Sequence, residues 1–367
     1  MDIATYLQLM TEKHASDLYL SSGAPIMIKI EGKTGPVTQH ALPAGKVKEL
    51  AYSVMNDQQR AAFERDLELD MAISMEQFGR FRLNVFWQRG DVAMVIRYLK
   101  TDIPDIESLH LPLLLKNLIM EPRGLVLVVG ATGSGKSTTL AAMIEHRNRH
   151  QTGHILTIED PIEYLHHHHR SLVNQREVGV DTHSYADALK RAMREAPDVI
   201  MIGEIRDQNT MKHALTYAET GHLCLSTLHA GNVNQTMRRI VNFFPESAHR
   251  ELFTDLAMHL KAVVAQRLVK GKDGKRIPAV EVMLASPYIR ELIHKGQLDD
   301  IPGIMEKSPD QGMKTFDDAL IELYHTGHIT LEEALAHADS RNNVSVRIRL
   351  EKGGEGPDIE GMRLDDD

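Results

Sequence analysis

Apolar and polar positions follow two different rhythms along this chain of 367 residues, and the change of rhythm divides it. Over residues 1–98 the rhythm is mixed. Residues 3–13, 47–55 and 57–65 carry apolar side chains at helical spacing, whereas 17–20, 26–30, 69–73, 79–86 and 91–97 alternate with the period of strands. Ser21-Ser22-Gly23-Ala24-Pro25 reads as the connection between the first two strands, and the last three strands read as an antiparallel meander. Helices laid on such a sheet make an α+β layer large enough to be an independent domain, 1–98.

Thr101-Asp102-Ile103-Pro104-Asp105 has no period and contains a proline, so 99–117 reads as a linker running into an apolar helix over 109–120. Beyond the break at Pro122-Arg123-Gly124 the rhythm becomes that of buried strands separated by helices. Leu125-Val126-Leu127-Val128-Val129 is apolar without interruption, as in a strand covered on both faces. Further strands are expected at 155–158, 199–202 and 223–228, and helices from 138 on and over 184–196, 208–220 and 234–243. Ser184 and Asp207 stand where N-caps belong, and Gly221 where a helix ends. This alternation predicts an α/β core with a mostly parallel sheet over 118–270. After about residue 246 the pattern reads as helical: a long amphipathic helix over 248–269, a strand-like 277–283, and a helix opened by Ser286-Pro287 and closed by Gly296. A helical pair over 315–325 and 330–338 follows. The expected C-terminal part, 271–350, is mainly helical, and 351–367, ending Asp365-Asp366-Asp367, is an acidic tail expected to be disordered.

Composition narrows the classes. The chain is 42% hydrophobic and 25% charged, an ordinary globular balance. Its net charge of −9 argues against nucleic-acid binding by the whole surface. No apolar run is long enough to span a bilayer, and Met1-Asp2-Ile3-Ala4-Thr5 has no signal-peptide character, so no membrane insertion is expected. A single cysteine, Cys224, excludes an intrachain disulfide and a cysteine-rich zinc site, and fits a reducing cytoplasm.

The chemistry centres on Gly130-Ala131-Thr132-Gly133-Ser134-Gly135-Lys136-Ser137-Thr138, which contains the spacing of a phosphate-binding loop between a buried strand and a helix. Its glycines let successive N–H groups point at phosphate oxygens, and the helix N-terminus adds partial positive charge. Lys136 is expected to reach the β- and γ-phosphates of ATP, and Ser137 to offer its hydroxyl to Mg²⁺. Two strands run into acids that could hold the metal or activate water: 155–158 into Glu159-Asp160-Pro161-Ile162-Glu163, and 199–202 into Gly203-Glu204. His222 and His229 flank the strand 223–228; seven residues of strand span roughly 23 Å, so they cannot share one metal ion. His229, at the C-terminal end, is the one expected to face the γ-phosphate, and His222 is left to another task such as bridging to a neighbour. The tract His166-His167-His168-His169 reads as a solvated loop. Arg80 and Arg82 share one strand face, and with Arg97 they are candidates to complete an ATP site from another domain or subunit.

Taken together these residues resemble a family. Residues 130–138, 158–163, 199–206 and 221–229 are similar to the Walker A, Asp box, Walker B and His box of the secretion/type IV pilus ATPase superfamily. The chain resembles its PilT/PilU retraction branch over nearly its whole length, and Pro245-Glu246-Ser247-Ala248-His249, Ala338-Asp339-Ser340-Arg341 and the acidic tail resemble its PilU side. The resemblance implies an N-terminal PAS-like domain, a RecA-like P-loop ATPase domain and a homohexamer. It implies Glu163 as general base, Glu204 as the Walker B acid acting on Mg²⁺ through water, and His222 and His229 as the His box; Glu159, read from its place at a strand end, is a further metal candidate. The chain departs from the usual pattern where Gly203 precedes Glu204, and where Tyr288-Ile289-Arg290-Glu291-Leu292-Ile293 matches the retraction motif Ala-Ile-Arg-Asn-Leu-Ile only in part.

The function implied is an ATP-driven motor of pilus retraction and twitching motility, at the cytoplasmic face of the bacterial inner membrane. Its implied partners are a PilT-like retraction ATPase and a PilC-like platform protein, and closure is expected to hinge near Ile103-Pro104 and Arg123-Gly124. The alternatives are a nucleotide-binding adaptor hexamer docked on PilT, an extension or type II secretion ATPase, and a RecA-type nucleic-acid motor. A single cysteine and a first domain of only about 100 residues argue against the extension type.

Overall fold

The computed structural model describes residues 2–30, 32–75, 78–99, 101–308 and 312–351, so the expected acidic tail lies almost wholly outside the described residues. In chain order the first elements are α1 (Ile3–Glu12), β1 (Asp17–Ser21), β2 (Met27–Ile30), β3 (Lys33–Pro36), α2 (Lys46–Val54), α3 (Asp57–Asp66), β4 (Glu68–Met75), β5 (Gly79–Gln88) and β6 (Asp91–Leu99). The six strands form one antiparallel sheet in the order β3-β2-β1-β6-β5-β4. Its alternating inward residues, among them Phe81, Leu83, Val85, Met94 and Ile96, pack with Leu7 and Met10 of α1 and Phe63 of α3 into one core. Asn56 caps α3 in a capping box with Gln59. The meander 69–97 forms as its period predicts; β3 is an added edge strand that its Gly35 and Pro36 conceal in the sequence.

The chain continues through α4 (Leu114–Ile119), β7 (Gly124–Val129), α5 (Lys136–His150), β8 (Gly153–Glu159), β9 (Ser171–Glu177), α6 (Tyr185–Ala192), β10 (Val199–Ile202), α7 (Gln208–Glu219), β11 (Leu223–Leu228) and α8 (Val233–Asn242). It ends through α9 (His249–His259), β12 (Leu260–Lys270), β13 (Arg276–Leu284), α10 (Pro287–Lys295), α11 (Ile301–Glu306), α12 (Phe316–His325), α13 (Leu331–His337) and α14 (Arg341–Glu351). Seven strands form a second sheet in the order β13-β12-β7-β11-β10-β8-β9. Pairing is parallel for β12 with β7, β7 with β11 and β11 with β10, and antiparallel for β12 with β13. Every residue of β7, β10 and β11 is buried, as the uninterrupted apolar runs require.

Contacts group the chain into two units. The first takes the chain up to Ile103 together with Thr157–His168 and Val173–Arg191; the second takes Pro104–Leu156, His169–Leu172 and the chain from Ala192 on.

Two expectations are corrected. The long helix over 248–269 is a helix and a strand, α9 and β12. Nothing at the His259-Leu260 junction marks the change, but Val263, Val264 and Val269 favour a strand, and pairing with β7 and β13 supplies the hydrogen bonds. The apolar helix over 109–120 shrinks to α4, because His110 takes a φ of +54° and Pro112 cannot continue a helix N-terminally. The strand-like 277–283 forms β13, paired with β12 at the end of the sheet. The cap signals hold: Ser286 accepts from the N–H of Ile289 with Pro287 at the first turn, and Gly296 closes α10 in the left-handed region.

Buried acids occur in the second unit. Glu281 on β13 is 6% exposed, and burial pushes its carboxyl up to about 7 from the usual 4.5. The folded chain therefore binds a proton there that an exposed glutamate has released. The stability this group contributes is full below about 4.5 and is lost as pH rises through about 7. Replacing it as Glu281→Gln should flatten that loss. Between about pH 6 and about pH 8 the melting temperature of the wild type should fall by a few degrees more than that of the variant in thermal unfolding.

Candidate active site

Three neighbouring strands of the second unit end side by side. β7 and β11 run in parallel register to Val129 opposite Leu228, and β11 and β10 to Ser226 opposite Ile202. The chain therefore leaves one edge of the sheet at Gly130, at His229 and at Gly203-Glu204, where open parallel sheets bind their ligands.

The loop after β7 is built for a polyphosphate. Gly135, at φ +94°, caps α5, whose first N–H groups have no partners within the helix. Gly133 has φ +77° and open space where a Cβ would stand, so the backbone angle alone requires glycine there. Gly130 is different: a Cβ would lie 2.4 Å from Ser134 Oγ and 2.5 Å from the carbonyl oxygen of Gln266. Ala131, Thr132 and Gly133 form an exposed lip. Lys136 is buried, and its Nζ donates to the carbonyls of Gly130 (3.0 Å) and Ala131 (2.9 Å), so the loop holds its own cation across its mouth. Ser134 Oγ is buried with no hydrogen-bond partner among the described residues. Amides, a cation and an unmatched hydroxyl around a glycine-lined hollow fit phosphate oxygens. Ser137 and Thr138 follow on the first turn, where a hydroxyl beside phosphate can serve Mg²⁺.

Gln266 of β12 backs this loop and escaped the sequence reading. It is 2% exposed, and its Oε1 accepts from Thr139 Oγ1 of α5 at 2.9 Å. A buried glutamine inside an apolar run is the signal that could have found it.

The second strand end carries His229 and the third Glu204. Glu204 Oε1 lies 3.3 Å from His229 Nε2, and its Oε2 accepts from Arg206 Nε at 2.8 Å. The two ends are stitched together: Ile205 N donates to Thr227 O, Thr227 Oγ1 to Gly203 O and Ser226 Oγ to Ile202 O. Gly130 N donates to Leu228 O, so the phosphate loop starts beside His229. His222 lies at the opposite end of β11, where its carbonyl accepts from Gly124 N and its Nδ1 sits 3.1 Å from Thr220 Oγ1. The structure thus brings Glu204 and His229 to the phosphate loop and leaves His222 away from it within the protomer.

The remaining candidates belong to the first unit. Glu159 ends β8; its carboxylate accepts from Thr157 Oγ1 (2.6 Å) and Gln175 Nε2 (3.0 Å), and burial pushes it up to about 7. Glu163 is exposed on the following loop, just after Ile162, whose N–H donates to the buried carboxylate of Glu177 at 3.1 Å. On the antiparallel sheet Asp17, Arg97 and Arg82 stand directly opposite one another in a row, with Arg80 on the face of Arg82. Arg97 Nε donates to Asp17 Oδ1 at 2.8 Å; Arg82 lies 3.3 Å from Asp70 and 3.9 Å from Glu177. These acids offset the repulsion of two facing arginines. Arg80 Nε is buried without a hydrogen-bond partner among the described residues. The histidine tract is an irregular loop with His167, His168 and His169 exposed. Among the described residues no group of three or more His, Cys, Asp or Glu side chains is placed to hold a metal ion.

The family described as "Type II/IV secretion system protein" matches residues 2–309. The type IV pilus ATPase PilU of Pseudomonas aeruginosa is 51% identical over 351 residues, 95% of this chain and 92% of its own. The chain belongs to the PilT/PilU branch of the type II/IV secretion system protein family. The type IV pilus retraction ATPase PilT of the same organism is 40% identical over 343 residues, 94% of this chain and 100% of its own. A crystal structure of the pilus retraction motor PilT with bound ADP superposes with a TM-score of 0.87 at 40% identity, covering 94% of this chain and 98% of that one. The α/β architecture, an antiparallel N-terminal sheet followed by a mostly parallel one, is therefore that of the family. No helix among the described residues is long and apolar enough to cross a membrane.

The crowding around Gly130 sets a test. In Gly130→Ala the new methyl meets a backbone carbonyl that cannot rotate away, so the loop must shift. Affinity for a fluorescent ATP analogue should fall about tenfold or more by equilibrium titration, with the secondary structure by circular dichroism retained.

Proposed function

We propose that the chain is an ATP-hydrolysing motor subunit of type IV pilus retraction, active as a homohexamer at the cytoplasmic face of the inner membrane. It works beside a PilT-like ATPase and acts on a PilC-like platform protein. The observation that carries the reading is the meeting of the phosphate loop, Glu204 and His229 at three adjacent strand ends, in a chain 51% identical to PilU over 95% of its length.

In this reading the N–H groups of Gly133 to Thr138 receive the phosphates of ATP, and Lys136 exchanges its two loop carbonyls for phosphate oxygens. Ser137, and Glu204 through water, would hold Mg²⁺, which supplies positive charge against the developing negative charge. Glu163 takes a proton from the attacking water as its oxygen bonds the γ-phosphorus. The bond from that phosphorus to the bridging oxygen breaks, and ADP and phosphate leave. Glu204 turns His229 toward the phosphate end. A part for Glu159 beside the metal requires its ionisation, which burial opposes. Arg80, Arg82 and Arg97 serve a neighbouring protomer's nucleotide, Arg82 and Arg97 by giving up Asp70 and Asp17, and His222 serves a subunit contact. Segments near Ile103-Pro104 and Arg123-Gly124 absorb the change of angle between nucleotide states.

Lys136→Ala should lower ATP turnover about a hundredfold or more in a phosphate-release assay, and unchanged turnover would remove the loop from the mechanism. In Glu163→Gln, nucleotide should still bind with near wild-type affinity while hydrolysis slows by about 10²–10⁴-fold. Normal turnover in that variant would refute the base assignment.

A further inference from the structure

β12 carries two adjacent polar side chains with different tasks, as the alternation of a strand allows. Gln266 backs the phosphate loop. Arg267 gathers a separate set of groups: its Nη2 donates to Gly231 O (3.1 Å) and lies 2.6 Å from Asp339 Oδ1, and its Nη1 donates to His337 O (2.8 Å). Its guanidinium carbon stands 3.9 Å from the centre of the Phe316 ring. Gly231 is two residues beyond His229. The same short segment is tied at two more points, where Asn232 Nδ2 donates to Asp339 Oδ2 (3.3 Å) and Val233 N to Glu281 Oε2 (2.7 Å). From the C-terminal side Asp317, in the first turn of α12, accepts from the N–H groups of Asp339 (2.8 Å) and Ser340 (3.2 Å). One guanidinium therefore joins the loop behind His229 to the start of α12 and to the connection between α13 and α14.

The sheet itself does not need this clamp, since β12 is already paired on both sides. The loop does: the carbonyl of Gly231 lies between a strand and a helix, outside both of their hydrogen-bond ladders. A planar fork with several donors can hold two carbonyls and a carboxylate at once, which an ammonium on a flexible stem cannot do with the same geometry.

We infer that Arg267 is a positioning residue for ATP turnover, fixing the course of the loop behind His229 and making that course depend on the C-terminal helices. The inference rests on the reading of His229 as part of the ATP site. The imidazole that Glu204 engages is set from behind by a residue that touches no nucleotide. Events at α12 to α14 then reach the site by altering the Arg267–Asp339–Asp317 contacts.

The test is steady-state ATPase kinetics on the full chain with Arg267→Gln, Arg267→Lys, Asp339→Asn and His229→Ala, each checked by thermal unfolding. Arg267→Gln should lower kcat about tenfold while KM for ATP and the Kd for ADP stay within about twofold. Arg267→Lys should be intermediate, and Asp339→Asn should lower kcat about threefold. Placed in a His229→Ala background, Arg267→Gln should lower kcat by less than about a further twofold, because both changes act on one group. The inference is overturned if Arg267→Gln depresses the melting temperature but leaves kcat unchanged, or if its loss multiplies in full with that of His229→Ala. Should Arg267→Gln fail to fold, Asp339→Asn decides by the same two readouts. Wild-type turnover in His229→Ala removes the reading of the site and the inference with it. Turnover lost in His229→Ala but kept in Arg267→Gln removes the inference alone.

Discussion

Parallel pairing of β7, β11 and β10 is the constraint on which the rest depends. Parallel strands end at the same edge, so three stretches far apart in sequence must release their loops together. Every residue of these strands is buried, as in a sheet covered on both faces, so their side chains can only be apolar or internally satisfied. Ser226 and Thr227 show the second solution, each giving its hydroxyl to a carbonyl of β10 or of the residue just past it. A sheet fastened this way presents Gly130, Glu204 and His229 on a stiff platform.

Polar groups inside the second unit follow the same logic of satisfaction. Arg147 is 4% exposed and spends one nitrogen on the carbonyls of Ile119 and Glu121, closing the end of α4 against α5. Gln266 is spent on Thr139. Against that background Ser134 Oγ stands out, because leaving a buried hydroxyl unmatched costs free energy unless a ligand supplies the partner. Lys136 gives the complementary picture: the two loop carbonyls it donates to are neutral acceptors, weaker partners for a cation than phosphate oxygens.

The first unit handles charge differently. Its sheet places Arg82 and Arg97 directly opposite each other, an arrangement that repels unless acids stand nearby, and Asp17, Asp70 and Glu177 do. Glu177 also fixes the N–H of Ile162, so one buried carboxylate touches both the arginine row and the segment that leads to Glu163. Cys224 is buried within β11, and burial pushes its thiol up, so it behaves as a small apolar residue.

Local physics decided much of this protein before any tertiary contact. The glycine spacing of residues 130–137, the unbroken apolar run before it, the alternation of β4, β5 and β6, and the caps at Asn56, Asp207 and Ser286 each encode their geometry in neighbouring residues. What the chain could not reveal locally were outcomes of pairing and burial. Residues 260–270 form a strand because β7 and β13 supply partners, and their apolar spacing alone serves helix and strand equally. Gln266 and Arg267 gained their tasks only by that placement. Likewise the meeting of His229 with Glu204 was fixed by strand register, because hydrogen bonds between distant segments decide which ends share an edge.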